Sequence, residues 1–168
     1  MSGSGEFVPS ALVPLTDGHK VDHFDSGEPS LDSWLRDHAL TQARRRLSAT
    51  HVWADSDGRV VGYVTLAAGA IAREELSKSL GHGFPETIPA ILLARLALQR
   101  DLHGRKLGGI LLSEALGIAS RSAADVAAAF VVVDALNEDK ANFYIHHGFK
   151  RLPDPGRLVL KMTTIAAA

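Results

Sequence analysis

Residues 92–112 read LLARLALQRDLHGRKLGGILL, and this stretch decides the fold. Its first part belongs to an apolar run over residues 90–98, which predicts a buried central strand. After a short connection with three glycines and two cations, residues 104–109, an apolar helical pattern begins. N–H groups at a helix start lack intrahelical partners and lie at the positive end of the helix dipole. The junction therefore suits a bound phosphate, although a connection in which glycines merely ease the turn is an open alternative.

Two common phosphate-binding motifs do not fit this junction. A Walker A loop requires Lys-Ser or Lys-Thr after its last glycine, and Gly109 is followed by Ile110. The dinucleotide G-x-G-x-x-G motif requires a different spacing and usually follows the first strand of its fold. The sequence thus predicts neither a P-loop nor a Rossmann site.

Outward from this junction, hydrophobic periodicity predicts strands and helices in alternation. A helix over residues 31–43 is expected to begin with Ser30 as its cap. Residues 71–83 are expected to form a short helix and then a loop. The predicted strands cover residues 11–15, 51–54, 60–68, 90–98, 126–134 and 157–162, and further helices follow Gly109 and cover residues 138–147. This order predicts a fold of the α/β class, in which helices cover a single mixed sheet of the α+β type.

Composition is consistent with one globular domain. The chain has 168 residues, of which 46% are hydrophobic and 22% charged, and it contains no cysteine. Disulfides, thiolate metal sites and a cysteine nucleophile are therefore excluded. Without an apolar stretch of membrane-spanning length or a signal sequence, we expect a soluble cytoplasmic protein. Residues 1–7, MSGSGEF, read like a cloning scar, and residues 8–168 are expected to form the domain.

Charge is distributed unevenly, although the formal net charge is only −1. Arg44, Arg45 and Arg46 are consecutive and could contact nucleic-acid phosphate; a solvated helix end is the equally simple interpretation. Arg95 lies within an apolar strand, where a charge is costly unless it is paired or faces a polyanion. The eight histidines show no spacing typical of a metal site, so no metal is expected.

The junction resembles the acetyl-CoA signature of the GNAT acetyltransferases, Q/R-x-x-G-x-G/A. Aligned on the last glycine, the signature covers residues 103–108 and departs at two positions. His103 replaces the Gln or Arg, and Lys106 replaces the first glycine. If Lys106 must adopt a positive φ there, the conformational cost is about 1 kcal/mol.

A second stretch resembles the C-terminal part of the same family. Residues 135–152, ALNEDKANFYIHHGFKRL, match a strand end, an Asn-containing turn and a helix with the pattern A-x-x-FY-x-x-x-GF. Further matches resemble the TacT-like GNAT toxins of bacterial type II toxin–antitoxin pairs. These matches are HFDSG at residues 23–27, LDSWL at 31–35, Gly62-Tyr63, Ile88-Pro89, LLARLAL at 92–98 and Tyr144.

The resemblance implies an acetyltransferase toxin that acetylates the α-amino group of aminoacyl-tRNA and blocks translation. It implies acetyl-CoA as donor, a ribbon-helix-helix antitoxin and a homodimer. Tyr144 is the implied general acid, and a tyrosine packed in the core is the alternative. Asn137 either binds the pantetheine arm or shapes a turn. The implied donor contacts are Leu96, Ala97, Leu98, His103, Gly104, Arg105, Lys106, Leu107, Gly108, Gly109 and Asn137; Arg44, Arg45, Arg46 and Arg95 are the candidate tRNA contacts.

The pKa of the acceptor amine favours an aminoacyl ester over a protein lysine as substrate. An α-amino group has a pKa near 8, so its neutral form is available without a dedicated base. A lysine amine, with a pKa of about 10.4, would require a base, and neither Glu86 nor Glu138 stands in a diagnostic context. A GNAT enzyme for a small-molecule or protein amine and an inactive GNAT-fold binding module remain the alternatives.

Overall fold

The computed structural model describes residues 6–165. Seven strands form one mixed sheet in the order β1-β2-β3-β4-β5-β7-β6. The strands are β1 (Val13–Pro14), β2 (Ala49–Ala54), β3 (Val60–Ala72), β4 (Thr87–Leu98), β5 (Phe130–Asp134), β6 (Lys150–Arg151) and β7 (Arg157–Lys161). The helices are α1 (Pro29–Asp37), α2 (Ala39–Arg44), α3 (Lys78–Gly81), α4 (Leu107–Asp125) and α5 (Glu138–His146). The predicted mixed α/β fold is confirmed.

By its internal contacts the chain divides into two compact units, whose boundaries fall within β3, β4 and α4. The first unit comprises the chain up to Val64 together with Arg95–Glu114. Its core is an apolar cluster that α1 and α2 form with strand residues, including Leu35, Ala39 and Tyr63. Ring nitrogen Nε1 of the buried Trp53 donates a hydrogen bond of 2.6 Å to the carbonyl of Ser10.

The second unit comprises Thr65–Ala94 and the chain from Ala115 onward. Its core includes Ile71, Ile88, Phe130 and Val159. Here β4 and β5 are parallel, with Ala90 opposite Phe130, whereas β5 pairs with β7 and β7 with β6 in antiparallel fashion. A parallel pair needs a crossover connection, and α4 lies between these two strands in the chain.

The predicted helix over residues 31–43 is in fact two helices, and Ser30 is not its cap. The break lies at His38, which has φ −128° and ψ −30°. Glu28 is the N-cap residue, and Pro29 occupies the first helical position, where its missing N–H costs no hydrogen bond. Leu31 and Leu35 still form the predicted buried face.

The structure also differs from the prediction at β3, β5 and β6. β3 continues to Ala72, where a helix was expected from residue 71, and pairing in the sheet overrides the weak local pattern there. β5 begins at Phe130, and Val126 after α4 is 80% exposed. The two-residue strand β6 was not predicted, because Lys150 and Arg151 carry no apolar alternation.

Residues 1–5 of the predicted cloning scar lie outside the described residues. Phe7, also assigned to it, packs its ring 5.5 Å from that of Trp53. Within residues 6–165, none of the helices has the length and apolar character that crossing a membrane would require.

Candidate active site

In the first unit, the junction between β4 and α4 is a surface loop held at both ends by buried leucines. A short 3₁₀ turn, Arg100–Leu102, follows β4 and buries Leu102, and α4 begins with the buried Leu107. The residues between these leucines, 103–106, are exposed. α4 starts earlier than predicted, so Gly108 and Gly109 lie in its first turn and not in the loop. Their N–H groups belong to the set that lacks intrahelical partners.

Lys106 adopts the left-handed conformation that its place in the signature suggested. Its φ is 61°, directly before the first residue of α4, and Gly104 has φ 77°. A Cβ placed on Gly104 would meet no atom within 4 Å, so backbone conformation and not crowding favours glycine there. The loop thus keeps, with lysine, the backbone geometry that the family motif obtains with glycine.

His103 connects the loop to the end of β4. Its Nε2 lies 2.7 Å from the carbonyl oxygen of Leu98, and since a carbonyl only accepts, Nε2 carries the proton. On the other side of the loop start, Gln99 donates its backbone N–H to Val61. The replacement for the signature Gln or Arg therefore fixes the strand end through its side chain.

Sequence reasoning missed a clamp that holds the same strand end. Arg100 donates its backbone N–H to the Asp25 carbonyl at 2.8 Å and its Nη2 to the Asp25 carboxylate at 3.1 Å. Gln99 accepts from the Asp25 N–H through Oε1, and Gly27 adopts φ 90° beside the Arg100 guanidinium. The available signal was the HFDSG stretch, which contains Asp25 and Gly27.

The second unit carries Tyr144 on α5, where the side chain is 6% exposed. Its ring makes edge contacts with Phe143 and Phe149 at centroid distances of 5.2 and 5.4 Å. Burial raises the pKa of the Tyr144 phenol well above its ordinary value near 10. The hydroxyl therefore keeps its proton at neutral pH, as a general acid must.

α5 is fixed at its first turn. The Asn137 side chain caps the helix, because its oxygen accepts a hydrogen bond of 2.9 Å from the Lys140 N–H. Two roles were considered for Asn137, binding of the pantetheine arm and shaping of the turn, and this hydrogen bond shapes the turn. Glu138 forms an ion pair with Arg151 of β6. Glu86, the other glutamate considered as a base, lines a cavity of about 900 Å³ along residues 72–87, which contains none of the predicted site residues.

The predicted RNA-binding arginines have different environments. Arg44 is the last residue of α2. Its Nη2 lies 3.7 Å from Oδ2 of Asp17, and its side chain is 65% exposed. Arg45 is the C-cap residue, and Arg46 adopts φ 61°. Arg95 of β4 is half-buried, and its Cζ lies over the indole of Trp34, 4.0 Å from the ring centre. Within the described part of the chain, no group of three or more histidine or carboxylate side chains is arranged to hold a metal.

The first unit thus carries a glycine-containing loop at the start of α4, and the second unit carries a buried phenol on α5. The model of the acetyltransferase (GNAT) domain matches residues 48–151. A tRNA-acetylating toxin of Mycobacterium tuberculosis is 38% identical over 161 residues, which cover 91% of this chain and 92% of the relative. The chain belongs to the GNAT acetyltransferase family and uses acetyl-CoA as its donor.

Two solved structures are similar over nearly the same span. One is AtaT complexed with acetyl-methionyl-tRNAfMet, with a TM-score of 0.86, 29% identity, and coverage of 92% of this chain and 96% of that one. The other is a mutant of the AtaT toxin bound to the C-terminus of the antitoxin AtaR and acetyl-CoA. It has a TM-score of 0.78, 25% identity, and coverage of 92% and 94%.

Proposed function

We propose that this chain is a toxin that transfers the acetyl group of acetyl-CoA to the α-amino group of aminoacyl-tRNA and so blocks translation. The observation that carries the proposal is the 38% identity to a tRNA-acetylating toxin over 91% of the chain. A match of this length includes both the donor loop and the helix that bears Tyr144, and not the common fold alone.

The loop before α4 is proposed to bind the donor pyrophosphate. Its exposed residues, 103–106, precede a helix whose first N–H groups are free to donate, and they include the cations Arg105 and Lys106. The pantetheine arm is proposed to pair with the backbone of residues 96–98. β4 extends to Leu98, whereas its last register pair with β5 is at Leu92, and this difference supports the assignment.

Tyr144 is proposed to act as the general acid. The neutral amine attacks the thioester carbonyl, a carbon–nitrogen bond forms, and the carbon–sulfur bond breaks. The departing sulfur takes the phenol proton, the amine nitrogen releases its proton to solvent, and the phenol is then reprotonated. Burial of the phenol beside Phe143 and Phe149 keeps this proton in place between turnovers.

The nucleic-acid partner is proposed to contact Arg44, Arg45, Arg46 and Arg95, since phosphate contacts supply most of the non-specific affinity of such proteins. By likeness to AtaT, an antitoxin is the second partner. A ribbon-helix-helix antitoxin, a homodimer and a cytoplasmic location complete the proposal. Light scattering coupled to size exclusion tests the dimer, and the reading frame next to the gene tests the antitoxin type.

The decisive assay measures coenzyme A thiol release with aminoacyl-tRNA as acceptor. Uncharged tRNA and N-acetylated aminoacyl-tRNA are the matched controls, because both keep the phosphates and lack the free α-amino group. Release only with the unblocked charged tRNA supports the proposal. Faster release with a lysine peptide or a small amine would assign the enzyme to the alternative substrate class.

Tyr144→Phe separates an enzyme from an inactive binding module. The variant removes one hydroxyl and keeps the ring contacts, so its melting temperature should change little. We expect kcat to fall by about 10²–10⁴-fold, the usual contribution of a general acid, with the KM for acetyl-CoA unchanged. If neither the wild type nor the variant releases thiol with any amine, the chain is a binding module.

A further inference from the structure

Four residues from separate parts of the first unit form one column of stacked side chains. Phe24 packs edge-on against Tyr63 at 5.6 Å, and Tyr63 lies nearly parallel to Trp34, with ring centres 6.2 Å apart and planes 14° apart. The guanidinium of Arg95 covers the Trp34 ring at 4.0 Å. All four residues belong to stretches that carried the sequence resemblance, and the fold explains why they occur together.

The column is rigid at its inner end. Tyr63 is fully buried, and its hydroxyl donates a hydrogen bond of 2.8 Å to the carbonyl of Leu31 on α1. On the same helix, Asp32 accepts the backbone N–H and the hydroxyl of Ser26, at 3.0 and 2.6 Å. The first turn of the helix that presents Trp34 is therefore held by hydrogen bonds from Tyr63 and Ser26.

Arg95 uses only one of its binding capacities in this arrangement. Its face is occupied by Trp34, yet within residues 6–165 it forms no ion pair and its side chain donates no hydrogen bond. A guanidinium has five N–H donors along its edge, and no Arg95 nitrogen is among the buried polar atoms without a partner, so these donors are open to solvent. The arginine thus presents a donor edge that a ligand can reach.

We propose that Trp34 is a positioning residue that holds the Arg95 guanidinium flat, so that its free edge binds one phosphate of the acceptor end of the aminoacyl-tRNA. This inference rests on the proposed function. A phosphate matches the planar donor fork in charge and geometry. The contact fixes where the acceptor end lies, whereas the exposed Arg44 gives general attraction only.

Substitution of Arg95 by lysine separates the effect of the positive charge from the effect of the planar guanidinium. A lysine at position 95 keeps the positive charge but cannot offer a planar fork or stack on the indole as a guanidinium does. Arg95→Lys should therefore raise the KM for aminoacyl-tRNA about tenfold, the loss expected for one charge-assisted hydrogen-bonded contact. The KM for acetyl-CoA should remain unchanged.

The test measures steady-state kinetics with aminoacyl-tRNA over a range of salt concentrations. The variants are Arg95→Lys, Arg95→Gln, Trp34→Phe and Trp34→Leu. Arg36→Gln is the control, because Arg36 lies on the same helix as Trp34 and, among the described residues, pairs only with Asp37. Arg95→Gln should lower the slope of log KM against log salt by about 0.7–0.9, the value for one phosphate contact. Trp34→Leu should lower this slope by the same amount, although it removes no charge. The double variant of Trp34→Leu and Arg95→Gln should lower the slope no further than either single variant. Trp34→Phe should retain part of the effect.

Each of three results would overturn the inference. The first is a wild-type KM in Arg95→Lys, and the second is an unchanged salt slope in Arg95→Gln. The third is additive losses for Trp34→Leu and Arg95→Gln. Melting temperatures identify a Trp34 variant that fails to fold, and the two Arg95 variants then decide alone. If the wild type acetylates no aminoacyl-tRNA, the proposed function itself fails. An active wild type with unaffected variants rejects the positioning role alone.

Discussion

At the scale of single residues, Lys106 adopts φ 61°, a conformation that brings Cβ close to the following carbonyl oxygen. Glycine reaches it without that contact, so Lys106→Gly should raise the free energy of unfolding by up to about 1 kcal/mol. Arg105→Gly is the matched control, because Arg105 is not among the residues with positive φ and should lose stability through greater freedom of the unfolded chain. Urea unfolding measures both changes; a less stable Lys106→Gly would show that the loop tolerates lysine without strain.

His147 supplies a pH-dependent prediction at the same scale. Its pKa is lowered, first by burial and second by the neighbouring His146, and its ring packs 4.8 Å from that of Phe143. The unfolded chain therefore binds this proton more tightly, so the stability contributed by His147 is complete above about pH 6.5 and is lost as the pH falls below that value. His147→Gln should reduce the difference between urea midpoints at about pH 7.5 and pH 5.5. An undiminished difference would assign the dependence to other groups.

At the scale of secondary-structure elements, Arg157 joins three of them in the second unit. It donates to both carboxylate oxygens of Asp134 at 2.8 and 3.1 Å, and to Glu75 at 3.0 Å. Arg157→Ala should cost about 1–2 kcal/mol, since the charge-assisted bonds of a partly buried arginine to the exposed Asp134 and the partly buried Glu75 are lost. The exposed pair Arg36–Asp37 is the control, and Arg36→Ala should change stability by less than about 0.5 kcal/mol. Equal effects in urea unfolding would contradict the structural assignment.

The packing of the neighbouring strands β3 and β4 requires glycine at position 69. A Cβ on Gly69 would lie 2.7 Å from Cγ of Leu92, closer than packed atoms allow. Gly69→Ala should therefore destabilise the protein by about 1–3 kcal/mol, the usual cost of overpacking. The double variant with Leu92→Ala should recover part of the Gly69→Ala loss, and a double-mutant cycle in urea measures this coupling. Strictly additive losses would mean that Leu92 moves aside freely.

At the scale of the whole molecule, catalysis depends on an amine that must be neutral and a phenol that must keep its proton. The rate should rise as the α-amino group loses its proton below about pH 8, because esterification of the adjacent carboxyl lowers the pKa of this amine from its ordinary value near 8. Because burial raises the pKa of Tyr144, we expect a plateau and no falling limb up to about pH 10. The measurement is kcat against pH with aminoacyl-tRNA, corrected for ester hydrolysis. A fall below pH 9 in the wild type that is absent from Tyr144→Phe would contradict the raised pKa of Tyr144, whereas an identical pH profile at nearly wild-type rate in Tyr144→Phe would contradict its acid role.

The sequence by itself predicted the central strand, the loop before α4 and the helix that carries Tyr144, whereas the left-handed lysine was considered only as a condition of the family signature. These features are local: an apolar run, glycines at a helix start and an Asn cap act within a few neighbouring residues, and the motifs record them directly. Local patterns failed where tertiary contacts decide. β3 extends past residue 68 because the sheet pairs it, and the helix over residues 31–43 breaks at His38.

Only the tertiary structure revealed the roles that join distant segments. Asp25 clamps Arg100 from a position 75 residues away in the chain, and Trp34 supports Arg95 from another element. Sequence reasoning recognised that a charge in the apolar strand needs a partner, yet it could not identify an indole as that partner. Hydrophobic periodicity specifies which face of an element is buried, whereas packing of the complete fold decides which side chain lies opposite it.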